Sequence, residues 1–385
     1  MKQSDQAMNR IKVAVLYGGR SAEHEVSLRS ATNVIQNLDP ALFEVIPIGI
    51  DKQGQWLLGH DVFAKSLEYN KVSQLQHDAT WFTPEWLGRS ISVTKAKHEL
   101  AASNQSAFDV IFPAVHGSLC EDGTLQGLLE LADLPYVGCG VLSSALGMDK
   151  DVSKRLIALS GINVPPYVAI KYTDWSSNQE TILTRITEHL PFPLFIKPAN
   201  TGSSIGITKV KTAEDLIPAI RFAFEFDNKV LVEKALNVIE LEIAVLESLE
   251  NGQDPIVSVV GQIDPHHEFY SYDAKYLDEN GASLYIPARV PDQVQTEAKI
   301  IAKKIFQVLE CEGMARIDLF YDKDAKQITF NEINTIPGFT QISMYPKLME
   351  ATNISYSNLL THLVKLAIKR HKRKAELNRN YNGTD

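Results

Sequence analysis

The stretch MARIDLFYDKDAKQITFNEINTIPG, Met314 to Gly338, decides the fold. It predicts a β-hairpin turning near Ala325, which sets Asp318 opposite Glu332 and Arg316 opposite Asn334. Residues two apart on a strand point to the same side, so these four polar groups share one face. Ile317, Leu319, Phe330 and Ile333 fall between them and must meet a core or a ligand. Two carboxylates and an amide oxygen form a hard, oxygen-rich set, of the kind that holds magnesium against nucleotide phosphates. A half-exposed hairpin with surface ion pairs would alternate in the same way, so the surrounding sequence has to decide.

Upstream, IKVAVLYGG, EVSLRSATNVIQNL, FEVIPIGI, FDVIFPAVHG and GTLQGLLELAD read as alternating strands and helices, which predicts parallel βαβ units with ligand-facing loops at the strand carboxyl ends. The pattern weakens between Asp51 and Ser106, as insertions or surface hairpins would. From Ser143 one helix carries MDKDVSKRLIALSGI, and Val164-Pro165-Pro166 ends it in an extended turn. PFPLFIKP and KVLVEKAL read as strands, and TAEDLIPAIRFAFEF as a helix opened at Thr212 with Asp215 completing a near capping box. ELEIAVLES and PIVSVVGQI are strand-like, FYSYDAKYLDENGASLYIPARV is a polar loop, and QTEAKIIAKKIFQVLE is a helix. The expected division is residues 1–146, 147–232 and 233–385.

A chain of 385 residues, 44% hydrophobic and 22% charged, can bury two or three ordinary cores. A net charge of -9 argues against a general nucleic-acid binder but allows a local site for a small anion. Three cysteines without paired spacing imply neither a zinc site nor a disulfide framework, which suits a reducing cytoplasm. The polar start MKQSDQAMNR has no apolar signal core, and no apolar run approaches a membrane span. The basic run Lys369 to Lys374 closes a helical pattern and reads as a solvated helix end favoured by the helix dipole.

Several constellations accompany the hairpin. Tyr17-Gly18-Gly19-Arg20-Ser21 follows the first strand, where glycine permits a tight turn and close backbone approach, although the spacing is not a dinucleotide fingerprint. Glu23 follows, suited either to holding an ammonium group or to capping the next helix. His116 ends another strand, and as a lone histidine it can contact a ligand or simply pack. Lys197 precedes a loop running to Gly206 whose N–H groups and hydroxyls can wrap a triphosphate while the lysine neutralises charge; lysine comes first, so this is no Walker A loop. Val230 to Leu236 is either a simple buried strand or an edge offering its backbone to an adenine ring.

Together, GGRSAEHEVS, HGSLCEDGTLQGLLE, MDK, IKPANTGSSIG, YDAKY, ARIDLF and NEINTIPGFTQISMYP resemble the D-alanine:D-alanine ligase family of the ATP-grasp superfamily, from Val13 to about Leu366. The resemblance implies an α/β and α+β chain: a Rossmann-like amino-terminal domain, a central ATP-binding subdomain and a carboxyl-terminal ATP-grasp domain. It implies phosphoryl transfer from ATP to a first D-alanine, then attack by a second. By the same resemblance Lys150, Lys197, Ser204 and Lys275 would meet ATP phosphates, and Glu233, Lys234, Leu236 and Glu240 the adenine and ribose, with Phe330 and Ile196 as pocket walls. Asp318, Glu332 and Asn334 would hold two magnesium or manganese ions. Glu23, linked through Ser203 to Tyr276, would hold the first ammonium. His116 would also contact substrate, Arg316 and the Gly338 N–H would stabilise the oxyanion, and Ser343 and Met344 would hold the second D-alanine. A cytoplasmic homodimer serving cell-wall synthesis, with no nucleic-acid or membrane partner, completes the implied picture.

One position departs from the family pattern. Cys120 stands where HGxxGEDG has glycine, which would cost on the order of 1 kcal/mol if that position needs a positive φ. The alternatives left open are a D-lactate or D-serine ligase and a catalytically silent nucleotide-binding protein, the intact YDAKY favouring the dipeptide.

Overall fold

The structure is a computed structural model, and it describes residues 10–58, 63, 81–82, 108–266 and 281–378. Lys275 and Tyr276, with most of the stretch between Asp51 and Ser106, lie outside these residues.

In the first domain β1 (Ile11–Gly18) is followed by α1 (His24–Asn37) and β2 (Phe43–Ile50). β3 (Trp56–Leu58), β4 (Trp81–Phe82), β5 (Val110–Pro113) and α2 (Thr124–Leu131) come next. The sheet order is β4-β3-β2-β1-β5, with β1 parallel to both β2 and β5 and an antiparallel edge beyond β2. Both faces of β1 are buried, Val13, Val15 and Tyr17 in one core and Ala14 and Leu16 in another, as a parallel strand covered on two sides requires. Because β1 lies between β2 and β5, the carboxyl ends of β1 and β5 open a crevice where the strand order reverses.

The helix expected from Ser143 onward is two helices, α3 (Val141–Met148) and α4 (Lys150–Leu159). Asp149 breaks it: its backbone is extended and its carboxylate accepts from the backbone N–H groups of Asp151 and Val152, capping α4. The middle unit contains β6 (Tyr167–Lys171), α5 (Tyr172–Ser177), α6 (Gln179–His189), β7 (Leu194–Pro198) and β8 (Thr208–Val210). It ends with α7 (Leu216–Ala223) and β9 (Lys229–Lys234), in an antiparallel sheet ordered β6-β9-β7-β8. The helix expected to open at Thr212 starts at Leu216. A single 3-10 turn precedes it, because the Thr212 hydroxyl bonds the Asp215 carboxylate at 3.0 Å and not a helical N–H.

The last sheet contains β10 (Val238–Leu246), β11 (Ile256–Pro265) and β12 (Ala282–Tyr285), then, after α8 (Asp292–Val308), β13 (Met314–Asp322) and β14 (Gln327–Asn334). Its order is β12-β11-β10-β13-β14, antiparallel throughout. β12 corrects the expectation of a loop across ASLY, whose residues pair with Gln262 to Pro265. One face of the sheet packs Leu241, Ile243, Ile317, Leu319 and Phe330 beneath Ala298, Ala302 and Ile305 of α8. On the other face, Ala244, Leu246 and Met314 are covered by α9 (Met344–Glu350) and α10 (Tyr356–Ala375), while Glu242, Arg316 and Asp318 continue into open space as the floor of a cleft.

α10 joins the first domain to the last. Leu359, Leu360, Leu363 and Val364 share a core with Val13, Val15 and Phe112, each contributing about 1.5–3 kcal/mol on burial. Arg370, expected at a solvated helix end, is buried instead; its guanidinium donates to the Gly138 and Tyr136 carbonyls at 2.6 and 2.7 Å. Lys374 reaches Glu130 at 2.5 Å. Among the described residues no helix is long and apolar enough to cross a membrane.

Candidate active site

The hairpin has the register that its polar residues require, Arg316 opposite Asn334 and Asp318 opposite Glu332. The turn closes between Asp322 and Gln327, and a bulge then places Asn331 as an extra residue between Phe330 and Glu332. Phe330 consequently faces the α8 core, fully buried, while Glu332 faces the cleft.

On the cleft face Arg316 forks onto Asp318, with Nε and Nη2 at 2.8 and 2.7 Å from the two oxygens, and Nε also lies 3.1 Å from Glu242. Burial alone would favour losing the Arg316 proton, but Asp318 and Glu242 outweigh it and hold the guanidinium charged. Asn334 Nδ2 donates to Asp318 at 3.0 Å, which leaves the amide oxygen as its free acceptor type. Glu332 lies 3.6 Å from Lys150, whose ammonium also donates to the Thr201 carbonyl at 2.5 Å.

Among the described residues no three His, Cys, Asp or Glu side chains are grouped tightly enough to hold a metal. Asp318, Glu332 and Asn334 supply two carboxylates and an amide, an incomplete shell for an octahedral ion. Magnesium is commonly bound this way, by one or two carboxylates with phosphate oxygens completing the shell. The residues present therefore fit a metal that arrives with a nucleotide.

The cleft has a volume of about 720 Å³. Its floor is the hairpin face with Glu240 and Glu242; Glu23 and His116 stand on the first-domain wall, and Gly338, Ser343 and Met344 line it from the segment after β14. Glu23 occupies the cap position of α1 yet makes no side-chain cap bond; its carboxylate accepts from the Ser203 hydroxyl of the Gly-Ser loop. That geometry removes the helix-capping reading of this glutamate. His116 meets Glu121 at 3.3 Å and Ser30 at 2.9 Å. Burial would lower its pKa, but the Glu121 hydrogen bond and charge raise it above the ordinary imidazole value. Ser343 Oγ lies 2.7 Å from the Thr340 hydroxyl, and Met344 packs against Gly261, where an added Cβ would sit 2.3 Å from the Met344 methyl.

The other candidates belong to β7, β9 and the loops that follow them, and of these Ser203 also lines the cleft. Lys197 bonds Glu233 at 2.7 Å, with Ile196 buried on the reverse side of β7. Lys234 ends β9 and Leu236 follows half-buried, while Ser203 and Ser204 take successive left-handed conformations at φ 51° and 60°. The structure does not bring the Glu233 carboxylate or the Phe330 ring to the cleft: the first is sealed between two lysines and the second lies under α8. Cys120 needs no positive φ; the left-handed residue is its neighbour Leu119 at 67°, so the strain considered at Cys120 is absent.

Sequence reasoning missed Lys154 and Glu242. Lys154, fully buried, forms an ion pair with Glu233 at 3.1 Å and donates to the bulge carbonyl of Asn331 at 2.9 Å. Its signal was the four-residue spacing from Lys150, which places both ammonium groups on one face of α4. Glu242 was legible as the second acidic residue of Glu240-Leu241-Glu242, where alternation puts both carboxylates on the side of Asp318.

Comparison with known proteins agrees with this arrangement. The family model described as D-ala D-ala ligase N-terminus matches residues 12–139, and D-ala D-ala ligase C-terminus matches 156–365. The D-alanine–D-alanine ligase of Caldicellulosiruptor bescii is 47% identical over 96% of this chain and 98% of its own length. D-alanine–D-alanine ligase A of Bradyrhizobium diazoefficiens is 45% identical over 97% and 99%. Among solved structures, the VanG D-Ala:D-Ser ligase from Enterococcus faecalis is similar with TM-score 0.78 and 38% identity, covering 93% of this chain and all of that one. The D-alanine-D-alanine ligase from Coxiella burnetii gives 0.76 and 33%, covering 95% and 96%. With both terminal models matched in order and relatives aligned nearly end to end, the chain belongs to the D-alanine–D-alanine ligase family.

Proposed function

We propose that the chain is an ATP-dependent ligase that joins two D-alanine molecules into D-alanyl-D-alanine for peptidoglycan synthesis. The carrying observation is the hairpin face of Arg316, Asp318, Glu332 and Asn334 on the cleft floor, opposite Glu23 and His116. A carboxylate is a poor electrophile and its oxygen a poor leaving group. Phosphoryl transfer to a first D-alanine cures both faults, and the amine of a second then displaces phosphate.

In this reading Glu23, ordered by Ser203, holds the first ammonium, and Tyr276 extends that link. Arg316, kept charged, stabilises the oxyanion with the N–H of Gly338. Lys150, Lys197, Ser204 and Lys275 meet ATP phosphates, and Lys150 and Lys197 exchange their carboxylate partners for phosphate on binding. Asp318, Glu332 and Asn334 hold two divalent ions, Mg2+ or Mn2+, that supply charge neutralisation when bound. Lys234, Leu236 and Glu240, with Glu233 and Phe330 supporting from behind, form the adenine and ribose side; His116, Ser343 and Met344 complete the substrate walls. The proposed division is 1–146, 147–234 and 235–385, the second boundary moved from 232/233 because β9 runs unbroken to Lys234. A cytoplasmic homodimer is part of the same proposal.

The test is ADP release from Mg-ATP with and without D-alanine. Release that depends on D-alanine, with the dipeptide as product, is expected; none, or release indifferent to D-alanine, would overturn the reading. Similarity to a D-Ala:D-Ser ligase supports a second reading, with D-serine as acceptor. Competition between D-alanine and D-serine, scored by product, separates the two.

A further inference from the structure

α1 turns two serines, one helical turn apart, into the core. Ser27 accepts from the Gly18 N–H at 2.7 Å and donates to the Ala114 carbonyl at 2.6 Å, tying the ends of β1 and β5. Ser30, fully buried, lies between His116 and Phe339: its Oγ is 2.9 Å from His116 Nε2 and 3.2 Å from the Phe339 nitrogen. A hydroxyl has one proton and two lone pairs, whereas a backbone N–H can only donate. Phe339 therefore fills one lone pair of Ser30. In the neutral ring, with the hydroxyl proton directed to Nε2, the ring proton sits on Nδ1 and meets Glu121 Oε1 at 3.3 Å. Every bond in the chain then runs one way, from Phe339 through Ser30 and His116 to a carboxylate.

Phe339 is fixed elsewhere too. Its carbonyl accepts from the Tyr356 hydroxyl at 2.7 Å, and its ring lies edge-on to Phe112 at 5.5 Å. The residue before it, Gly338, lines the cleft. We propose that Ser30 is a positioning residue for the ligation step, anchoring Phe339 to the first domain so that the backbone at Gly338 is set against the carboxyl oxygen under attack. This rests on the reading of Gly338 as an oxyanion donor. It joins the wall carrying the first substrate to the backbone that stabilises charge in the second step.

The experiment is Ser30→Ala, read against wild type in two assays: dipeptide formation, and D-alanine-dependent positional isotope exchange in labelled ATP, which reports phosphoryl transfer alone. Dipeptide kcat should fall about ten- to a hundredfold, as for a small misplacement of a catalytic group. Exchange and the KM for ATP should persist. Ser30→Thr, which keeps the hydroxyl, should return kcat to within about threefold of wild type. Where Ser30→Ala does not fold, Ser30→Cys, of similar volume but a weak donor, is read in the same way. Unchanged kcat in the variant that lacks the hydroxyl overturns the proposal, as does parallel loss of exchange and ligation. A wild type that makes no dipeptide would instead overturn the ligase reading itself.

Discussion

Lys154 and Lys197 share one buried carboxylate: Glu233 lies 3.1 Å from the first ammonium and 2.7 Å from the second. Burial alone would raise the Glu233 pKa, but the two lysines outweigh it and leave the group ionised below the ordinary glutamate range. Removing the shared anion is therefore worse than removing one cation. Glu233→Gln should cost roughly 3–5 kcal/mol because it leaves two uncompensated buried charges. Lys154→Met leaves a matched pair and loses mainly the bond to the Asn331 carbonyl, about 1–3 kcal/mol. Urea denaturation of both variants checks the order; a larger loss for Lys154→Met would contradict it.

Glu332→Gln should abolish ligation while sparing the fold. The carboxylate is 27% exposed and lies 3.6 Å from Lys150, so the loss of that one ion pair costs about 1 kcal/mol or less. A role in holding a divalent ion would instead lower D-alanine-dependent ADP release about a hundredfold or more. Wild-type-like circular dichroism together with near-normal ADP release would remove Glu332 from the metal site.

The Gly202 to Gly206 loop should become resistant to protease when Mg-ATP is added. Ser203 and Ser204 both hold left-handed backbone, a local cost that contacts with phosphate can offset. Mass-mapped cleavage sites, compared with and without nucleotide, give the answer, and identical patterns would count against a phosphate-wrapping loop.

His116 should make stability fall as pH rises through the neutral range. Its folded pKa lies above the unfolded value because the Glu121 bond overcomes burial, so its contribution is complete below the unfolded pKa and is lost above the folded one. Burial raises the Glu121 pKa as well, which gives the same sign at lower pH. The melting temperature of wild type relative to His116→Gln should therefore be higher at pH near 6 than near 8. A pH-independent difference would mean that His116 does not titrate with folding.

The hairpin and its polar face were legible because alternation fixes which side a residue faces, and Arg316, Asp318, Glu332 and Asn334 obey it. The bulge was legible in principle. Phe330 and Glu332 have the same parity but opposite polarity, which a regular strand cannot satisfy, and the extra residue Asn331 resolves the conflict. Lys154 was hidden because a helical lysine normally extends into water, and only a carboxylate from a strand about eighty positions later explains its burial. The break at Asp149 was hidden for a related reason: helix propensity runs through MDKDVSK, and the capping bonds that stop it appear only once the turn is made. Ser30 carried no signal at all, since its two partners lie 86 and 309 positions away.

The strap made by α10 places the order of synthesis under constraint. The core beneath the first sheet is completed by Leu359, Leu363 and Val364, and Arg370 seals it through carbonyls 232 and 234 positions earlier. A chain emerging from the ribosome thus has Glu23 and His116 in hand long before the residues that hold their domain against the last sheet. The opposing walls of the cleft are thus held in register by a helix that is made well after the strands it covers.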